Sequence, residues 1–389
     1  MNKFYKSGLI AFAFAMLAML WSASPAMAQD EPGDISEGND YWFAIPNCKT
    51  AQGEIVRWGD SPILIWVASK YTCSFTISSE DGATVPTMTY DISPGVVKEL
   101  NLGADVMLTD GDNERPTWKG IHINSTQPVT VGVFVAYKWS GEAYRVIPSE
   151  WLDQEYYTVN LWQDKVKMFG GTEPELKPGE IVIVASSDGV TNIEYTPKVK
   201  TPKTAKGATK TVALKRGQTY LIQAWTSDAL SWNTERSDLT GTLIKGDKPF
   251  AVLSGHTKGA YPQYPYSMYG IKTDFIRNML MEMMWPTYHL AKEYISAPLK
   301  YGNRVFGNAV ANERGDLIRF VAVENNTVVK EGKYNPTTKK MEYLAISGIM
   351  SAGDFCDIPN RETPGYYVST KKVLVAQIGK AWIDHLPPP

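Results

Sequence analysis

A phrase that recurs at a fixed spacing restricts the fold of this chain more than any other feature. Gly120-Ile-His-Ile-Asn-Ser-Thr-Gln-Pro128-Val129 is matched by Gly241-Thr-Leu-Ile-Lys-Gly-Asp-Lys-Pro249-Phe250, so that both ends of the phrase are displaced by 121 residues. A third copy, one residue shorter, runs from Gly365 to Val373. Propeller blades and solenoid turns have much shorter periods, so this spacing predicts three related units, each of the size of a whole β module.

A glycine turn that leads into a new strand recurs as well. Residues 100–106, 214–220 and 350–356 share this frame, with Gly103, Gly217 and Gly353 in corresponding positions. The repeated turn supports the same division of the chain into three units.

The segments between the turns have the patterns of β-strands. Ile63–Ala68 is continuously apolar, as in a strand buried on both faces, and Val129 opens a run in which every second residue is valine. Turn dipeptides such as Asp81-Gly82 separate these runs. The sequence therefore predicts an all-β fold of tandem antiparallel β-sandwich-like modules, over residues 40–160, 178–300 and 304–389.

One or two short connecting helices are predicted between the modules. Residues 151–157 form a short candidate, and residues 274–290 a longer one that begins at Asp274 and is broken by Pro286. Its apolar positions fall on one helical stripe: Phe275, Ile276, Met279, Leu280, Met283 and Met284. The third module has no such connector, so the pattern either ends there or leaves that module incomplete.

The N-terminus has the order of charge, apolar residues and small residues that is typical of a secretory signal peptide. Lys3 and Lys6 precede an apolar run over residues 8–20, and Ala26-Met27-Ala28 forms a small-residue cleavage site. We expect residues 1–28 to be removed and the protein to be secreted or on the cell surface, in the periplasm or on the outer surface if the source is bacterial. No later stretch approaches ~20 apolar residues, so no transmembrane segment is expected after cleavage.

The charge balance argues against a nucleic-acid partner. The 389 residues hold 39 basic and 41 acidic side chains, and removal of residues 1–28, which contain two lysines and no acid, changes the formal net charge from −2 to −4. A mildly acidic surface has no general attraction for phosphate backbones.

Three cysteines are too few for a disulfide scaffold in an exported chain of this length. Cys48 and Cys73 are close enough in sequence to pair within the first module, in a bridge worth ~3 kcal/mol. The alternative is that all three cysteines are buried thiols.

A search for catalytic residues predicts that the chain is not an enzyme. Of its four histidines, His122 alternates with buried positions and should face solvent, and His256 should be a hydrogen-bonded turn residue rather than the base of Ser254. No phosphate-binding loop or paired-cysteine motif is present in the sequence. Carboxylate pairs that cleave glycosides meet only in the folded protein, so the sequence leaves that chemistry open.

An acidic cluster provides the one candidate metal site. Asp110, Asp112 and Glu114 lie within five residues and offer the oxygen ligands that Ca²⁺ prefers. An acidic hairpin turn explains the cluster equally well. No other cofactor is expected.

A tyrosine-rich loop is the best candidate for a binding site. Its rings are separated by prolines, which stiffen a loop, and tyrosine supplies contact area at low entropic cost. The candidates are Tyr261, Tyr264, Tyr266 and Tyr269. The alternative is a loop packed across a module junction with its rings buried.

A basic stretch over residues 197–210 is predicted to be a long, solvated hairpin loop of the second module. Its lysines could also form a docking strip for an anionic surface.

Several of these segments resemble the IgGFc-binding protein N-terminal domain family. The resemblance covers residues 40–326 and rests on residues 118–123, 128–131, 182–189, 238–242, 249–256 and 274–286, the last of which includes Glu282-Met283-Met284-Trp285-Pro286. It implies an extracellular binding or adhesion role, often as one part of a larger surface protein. Immunoglobulin binding belongs to the founding animal protein, and no residue here carries that property over.

The sequence thus predicts an exported, non-catalytic binding or adhesion protein whose partner is an extracellular protein or a glycan. The alternatives are a carbohydrate-binding module or polysaccharide hydrolase of the β-sandwich type, and a structural spacer within a surface assembly.

Overall fold

A computed structural model describes residues 35–48, 63–137, 140–167, 174–227, 237–261, 277–299 and 315–379. The predicted signal peptide lies outside these residues. Within them the regular structure consists of 23 β-strands and of 3-10 turns of three residues each. The prediction of an all-β, antiparallel fold is confirmed.

The strands fall into three successive groups. The first comprises β1 (Gly38–Phe43), β2 (Ile63–Ala68), β3 (Cys73–Ser79), β4 (Met88–Ile92), β5 (Val97–Leu102), β6 (Pro116–Thr117), β7 (Ile121–Tyr137) and β8 (Ser140–Arg145). The second comprises β9 (Asp153–Tyr157), β10 (Asp164–Lys167), β11 (Pro174–Lys177), β12 (Gly179–Ala185), β13 (Val190–Thr196), β14 (Lys210–Lys215), β15 (Thr219–Gln223), β16 (Leu243–Gly259) and β17 (Asn278–Met283). The third comprises β18 (Ala291–Ser296), β19 (Asp316–Ala322), β20 (Val329–Asn335), β21 (Lys340–Ala345), β22 (Phe355–Arg361) and β23 (Gly365–Ile378).

The three groups repeat one strand order, and we call them the first, second and third units. The orders are β4-β3-β7-β2-β5, β14-β13-β16-β12-β15 and β21-β20-β23-β19-β22. The strand before each set, β1, β9 or β18, pairs with the long strand β7, β16 or β23. The internal repeat in the sequence is therefore a repeat in strand topology.

Each long strand bends and serves two half-sheets. The first half of β7 pairs with β1 and β3, and its second half with β2 and β8. A tyrosine fastens the bend in every unit, because its hydroxyl donates a hydrogen bond to a carbonyl of the long strand. The pairs are Tyr41 with Val129, Tyr156 with Phe250, and Tyr294 with Val373.

The structural units begin earlier than the predicted modules. β9 lies inside the range predicted for the first module, yet it pairs with β16 of the second unit. β18 lies inside the range predicted for the second module, yet it pairs with β23. In sequence these strands follow the previous unit closely, so that turn signals alone do not separate them.

The predicted helix over residues 274–290 was wrong. Its described part contains the strand β17, which pairs with β16, and a 3-10 turn over Thr287–His289. Met279, Met281 and Met283 are buried on one face of β17 with the alternation of a strand. The predicted helix over residues 151–157 is also a strand, β9, after a 3-10 turn.

Gly120 and Gly241 occupy equivalent positions just before a long strand. Of the three glycines matched in the recurrent turn, Gly217 and Gly353 correspond, because both lie in a turn with positive φ. Gly103 instead precedes a 3-10 turn after β5 and is not among the glycines with positive φ. The first-unit counterpart of Gly217 is Gly95, at φ +75° between β4 and β5. The match of residues 100–106 to the other two turns was therefore displaced by one strand.

The units share their apolar cores. The cluster that fills the first unit also contains Val182, Leu253 and the buried methionines of β17, all from the second unit. The cluster of the second unit includes Val321 and Leu374 of the third. Hydrophobic burial therefore runs continuously through the unit junctions.

Candidate functional site

The three carboxylates of the predicted calcium site point to different partners. Asp110 accepts hydrogen bonds from Asn47 and Gln223, at 2.7 and 3.2 Å. Asp112 caps its own 3-10 turn through Thr109 and pairs with Lys119 at 3.1 Å. No group of three or more His, Cys, Asp or Glu side chains in the described ranges could hold a metal ion. The predicted site is therefore a structural turn.

Glu114 is the member of this cluster with the largest structural role. Its buried carboxylate accepts hydrogen bonds from the hydroxyls of Tyr195, Thr201 and Thr204 at 2.9 Å and from the backbone N–H of Lys203 at 2.6 Å. Burial alone would raise the pKa of Glu114, but these hydrogen bonds hold it below its ordinary value. Glu114 thus fixes a loop of the first unit to the hairpin between β13 and β14.

The basic stretch is the loop of that hairpin, as predicted. Part of it is packed rather than solvated, because Val199, Thr201 and Thr204 are buried.

The cysteines are not bridged. Cys48 and Cys73 are both buried thiols in the structure, and Cys48 Sγ lies 3.5 Å from Ser140 Oγ. Cys356 is half-buried, and burial raises the pKa of its thiol to about 11. The structure thus has the thiol alternative and not the disulfide.

Of the four tyrosines in the predicted binding loop, only Tyr261 lies within the described residues. It is half-buried, and its ring meets that of Trp162 edge-on at 6.4 Å. Tyr264, Tyr266 and Tyr269 lie outside the described residues, and their role in binding stays a prediction.

The histidines have structural surroundings that the sequence did not predict. His122 stacks on Trp42 at 4.2 Å and lies 2.6 Å from Asp40, so it is half-buried rather than solvated. His256 is completely buried within β16, and its Nε2 lies 3.0 Å from the carbonyl oxygen of Trp162. It is hydrogen-bonded as predicted, but within a strand rather than a turn.

An arginine joins the second and third units. The buried guanidinium of Arg319 contacts Asp238 at 2.7 Å, Thr240 at 2.9 Å and the carbonyl oxygen of Asn160 at 2.8 Å. It also binds Asp357 through two parallel bonds of 2.8 Å. The guanidinium thus forms its hydrogen bonds with groups of the protein, so Arg319 joins the two units rather than binding a ligand.

A pocket of about 300 Å³ lies where all three units meet. Its walls come from β16, β17 and the end of β23, with Leu280, Leu299 and Ile378 among the apolar side chains. Glu142 of β8 and Glu282 of β17 supply its carboxylates. An apolar pocket with a few polar groups is the usual form of a ligand site.

The two carboxylates have perturbed pKa values. Burial and the negative charge of Glu282 raise the pKa of Glu142 to about 7. Glu282 is exposed at the mouth of the pocket, but the desolvation it undergoes there still raises its pKa to about 7, against the opposing influences of the Met283 N–H and of Arg145. Other polar groups of the pocket are engaged, since Ser254 donates to the carbonyl of Val159 and Asn160 to that of Glu180.

Such a pair can hold a cation or exchange protons near neutral pH. Sequence reasoning missed this pair, because Glu142 and Glu282 lie in different units and neither belongs to a motif of reactive residues. Only the packing of β8 against β17 places them in one pocket.

A family model described as IgGFc binding protein matches residues 142–382. The chain belongs to this family. The match begins at Glu142 and includes the second and third units, whereas the resemblance seen in the sequence extended from residue 40 to residue 326. No curated protein and no solved structure matches the chain. In the described part of the chain, no helix has the length and apolar content to cross a membrane.

Proposed function

We propose that this member of the IgGFc binding protein family is an exported, non-catalytic binding or adhesion protein. Its partner is an extracellular protein that inserts a basic side chain into the pocket between the units. The N-terminal sequence supports export, and the family supports a binding role.

The observation that carries the proposal is the pair of carboxylates in a mainly apolar pocket whose other polar groups include Asn160 and Ser254, which bond within the protein. Glu142 and Glu282 repel each other when both are ionised, and burial adds to that cost. A lysine or arginine side chain would add a positive charge to that of Arg145, and its aliphatic stem would contact Leu280 and Leu299.

The test is binding to a panel of immobilised extracellular proteins, with immunoglobulin G and its Fc fragment as the first probes. The variants Glu142→Gln and Glu282→Gln should each weaken capture of the bound protein by at least about tenfold, which corresponds to ~1.4 kcal/mol. Glu362→Gln changes an exposed carboxylate outside the pocket and serves as the control. Equal capture by all four proteins would contradict the proposal.

Binding should depend on pH in a defined direction. Since both folded pKa values are raised to about 7, the carboxylates take up protons as the pH falls from 8 to 6. A cationic ligand should therefore bind more weakly at pH 6 than at pH 8, and Glu282→Gln should flatten this dependence. Affinity that increases toward pH 6 would be inconsistent with a basic ligand.

A second candidate function is a carbohydrate-active protein. The same pair favours it, because glycoside hydrolases use two carboxyl groups, one of which has a raised pKa. Release of reducing sugar from a panel of polysaccharides, abolished by Glu142→Gln, would establish hydrolysis. Glycan binding without turnover would instead indicate a carbohydrate-binding module.

A further inference from the structure

The two junctions within the chain share a close approach between two glycines, although the hydrogen bond between them is present only in the first. In the first, the N–H of Gly120 donates to the carbonyl oxygen of Gly217 at 3.1 Å. In the second, Gly353 packs against Gly241 so closely that a Cβ on Gly241 would collide with the Gly353 carbonyl. In both cases the glycine turn of the later unit, just before β15 or β22, packs against the glycine of the earlier unit that lies just before its long strand, β7 or β16.

The contact is flanked by an ion pair in both junctions. Arg216, beside Gly217, pairs with Glu80 of the first unit at 3.0 Å. Asp354, beside Gly353, pairs with Lys198 of the second unit at 3.2 Å. The charges are reversed; Glu80 and Lys198 hold corresponding positions, whereas Arg216 precedes its glycine and Asp354 follows its glycine.

The first unit has the same turn, and nothing in the described part of the chain covers it. The N–H of Gly95 donates to Ser69, as Gly217 does to Ala185 and Gly353 does to Ala322. Gly217 and Gly353 are buried, whereas a Cβ on Gly95 would meet no atom within 4 Å. The adjoining Val96 and Val97 are 51% and 59% exposed.

The third unit has the surface that, in the first and second units, contacts the glycine turn of the next unit. We call this surface the receiving face. The strand register makes Ile295 the counterpart of Trp42 and Tyr157, each of which follows the bend tyrosine of its unit. Trp42 and Tyr157 are 2% and 6% exposed, whereas Ile295 is 79% exposed.

The same register makes Tyr334 the counterpart of Glu80 and Lys198. Tyr334 lies three residues after the position that pairs with Tyr367. Glu80 and Lys198 lie three residues after the positions that pair with Ile123 and Ile244. Tyr334 is 61% exposed. The receiving face thus displays apolar side chains at the positions that the other two junctions occupy.

We propose that the Gly95 turn of one copy docks on the Ile295–Tyr334 face of a second copy, so that the protein associates head to tail. The interface would continue the arrangement that the chain already uses twice internally. Because the two surfaces differ, the contact is heterologous and forms rings or open chains rather than a closed pairwise dimer. This inference goes beyond the proposed function and does not depend on the pocket.

Pro364 sets the strength of this contact. Pro364 lies three residues before Tyr367, which pairs with the bend tyrosine of the third unit. Gly120 and Gly241 lie at the same distance before the residues that pair with the bend tyrosines of the first and second units. Proline has no N–H to donate, and its ring occupies the space that glycine leaves open. The contact between copies should therefore be weaker than the two contacts within the chain.

Sedimentation velocity of the full-length mature chain, from about 1 µM to about 500 µM, tests the proposal. We expect concentration-dependent association of the wild type that is lost in Val97→Lys and in Ile295→Lys. A 1:1 mixture of these two variants should form a dimer, because each retains the surface that the other lacks. Ile349→Lys changes an equally exposed apolar residue outside both surfaces and should associate like the wild type.

Pro364→Gly should tighten association at least about fivefold, since it restores the donor and the space for the turn. A wild-type chain that stays monomeric over this range would overturn the proposal. So would association that survives both lysine variants, a mixture without dimers, or an unchanged affinity in Pro364→Gly.

Discussion

The two unit junctions are held by buried charges of opposite sign. At the first, the carboxylate of Glu114 projects from the first unit and accepts hydrogen bonds from hydroxyl and backbone donors of the second. At the second, the guanidinium of Arg319 projects from the third unit toward the carboxylate of Asp238 in the second unit, and it also binds Asp357 of its own unit. Both satisfy a buried charge, but Glu114 has one partly exposed lysine, Lys210, at 3.7 Å, whereas Arg319 has two carboxylates at 2.7 and 2.8 Å.

This difference determines what each junction loses when its charge is removed. Without Glu114, three hydroxyls and one N–H lose an acceptor, and Lys210 loses a counter-charge at 3.7 Å but stays partly exposed to solvent. Without Arg319, a buried carboxylate remains with no cation in contact. The second junction should therefore be the more sensitive of the two.

The largest effect is expected for Arg319→Met. The variant leaves Asp238 buried without its cation and should lower the free energy of unfolding by about 3–5 kcal/mol. Urea denaturation monitored by tryptophan fluorescence measures the change. Arg115→Met removes an arginine that is 59% exposed in its ion pair with Asp112 and should cost less than about 1 kcal/mol. Equal losses in the two variants would show that Arg319 does not hold the junction.

Glu114→Gln should have the next largest effect, a loss of about 1–3 kcal/mol, because its amide group turns a donor toward other donors. The loss should also depend on pH. The folded pKa of Glu114 is depressed, so its contribution is complete above the unfolded value near 4.5 and disappears as the pH falls through the folded value. Melting temperatures of both proteins should therefore converge in acid, and a constant difference from pH 7 to pH 3 would contradict this account.

A smaller difference should separate Gly217→Ala from Gly95→Ala. Both positions have positive φ, so each substitution incurs the strain of a left-handed alanine, about 1 kcal/mol. At Gly217 the new Cβ also meets Glu80 at 2.5 Å, whereas Gly95 has open space around it. The additional loss of unfolding free energy in Gly217→Ala, relative to Gly95→Ala, measures how tightly the Gly217 turn packs against the first unit. Identical costs would mean that the turn is not tightly seated.

The smallest effect is expected for Lys198→Ala. Its ion pair with Asp354 is exposed on both sides, so the loss should stay within about 0.5 kcal/mol and vanish in high salt. A loss of several kcal/mol would instead mean that this surface ion pair, rather than Arg319, stabilises the second junction.

The sequence predicted the repeat because the repeat depends on local chemistry. Gly120 and Gly241 are required wherever a turn must approach the backbone closely, so their spacing survives in the sequence as a visible period. The third copy appeared one residue shorter because Gly365 was matched in place of Pro364, which holds the equivalent position in the strand register.

The sequence failed where distant partners decide the structure. Met279, Met281 and Met283 lie in a segment whose apolar residues fit both a helix and a strand, and only pairing with β16 selects the strand. Asp110, Asp112 and Glu114 are neighbours in sequence, but their partners Gln223 and Thr204 lie about a hundred residues away. The pairing of Glu142 with Glu282 has the same origin, since it arises from packing between units.

The tyrosine at each bend has a consequence for how such chains can diverge. Its hydrogen bond spans 88 residues in the first unit, 94 in the second and 79 in the third, yet it fixes the same point of the long strand. Insertions and deletions between its two ends therefore leave the frame of the unit unchanged. Duplicated copies could accumulate length differences in their loops and still be superimposed on this single fastening, even after most of their side chains had changed.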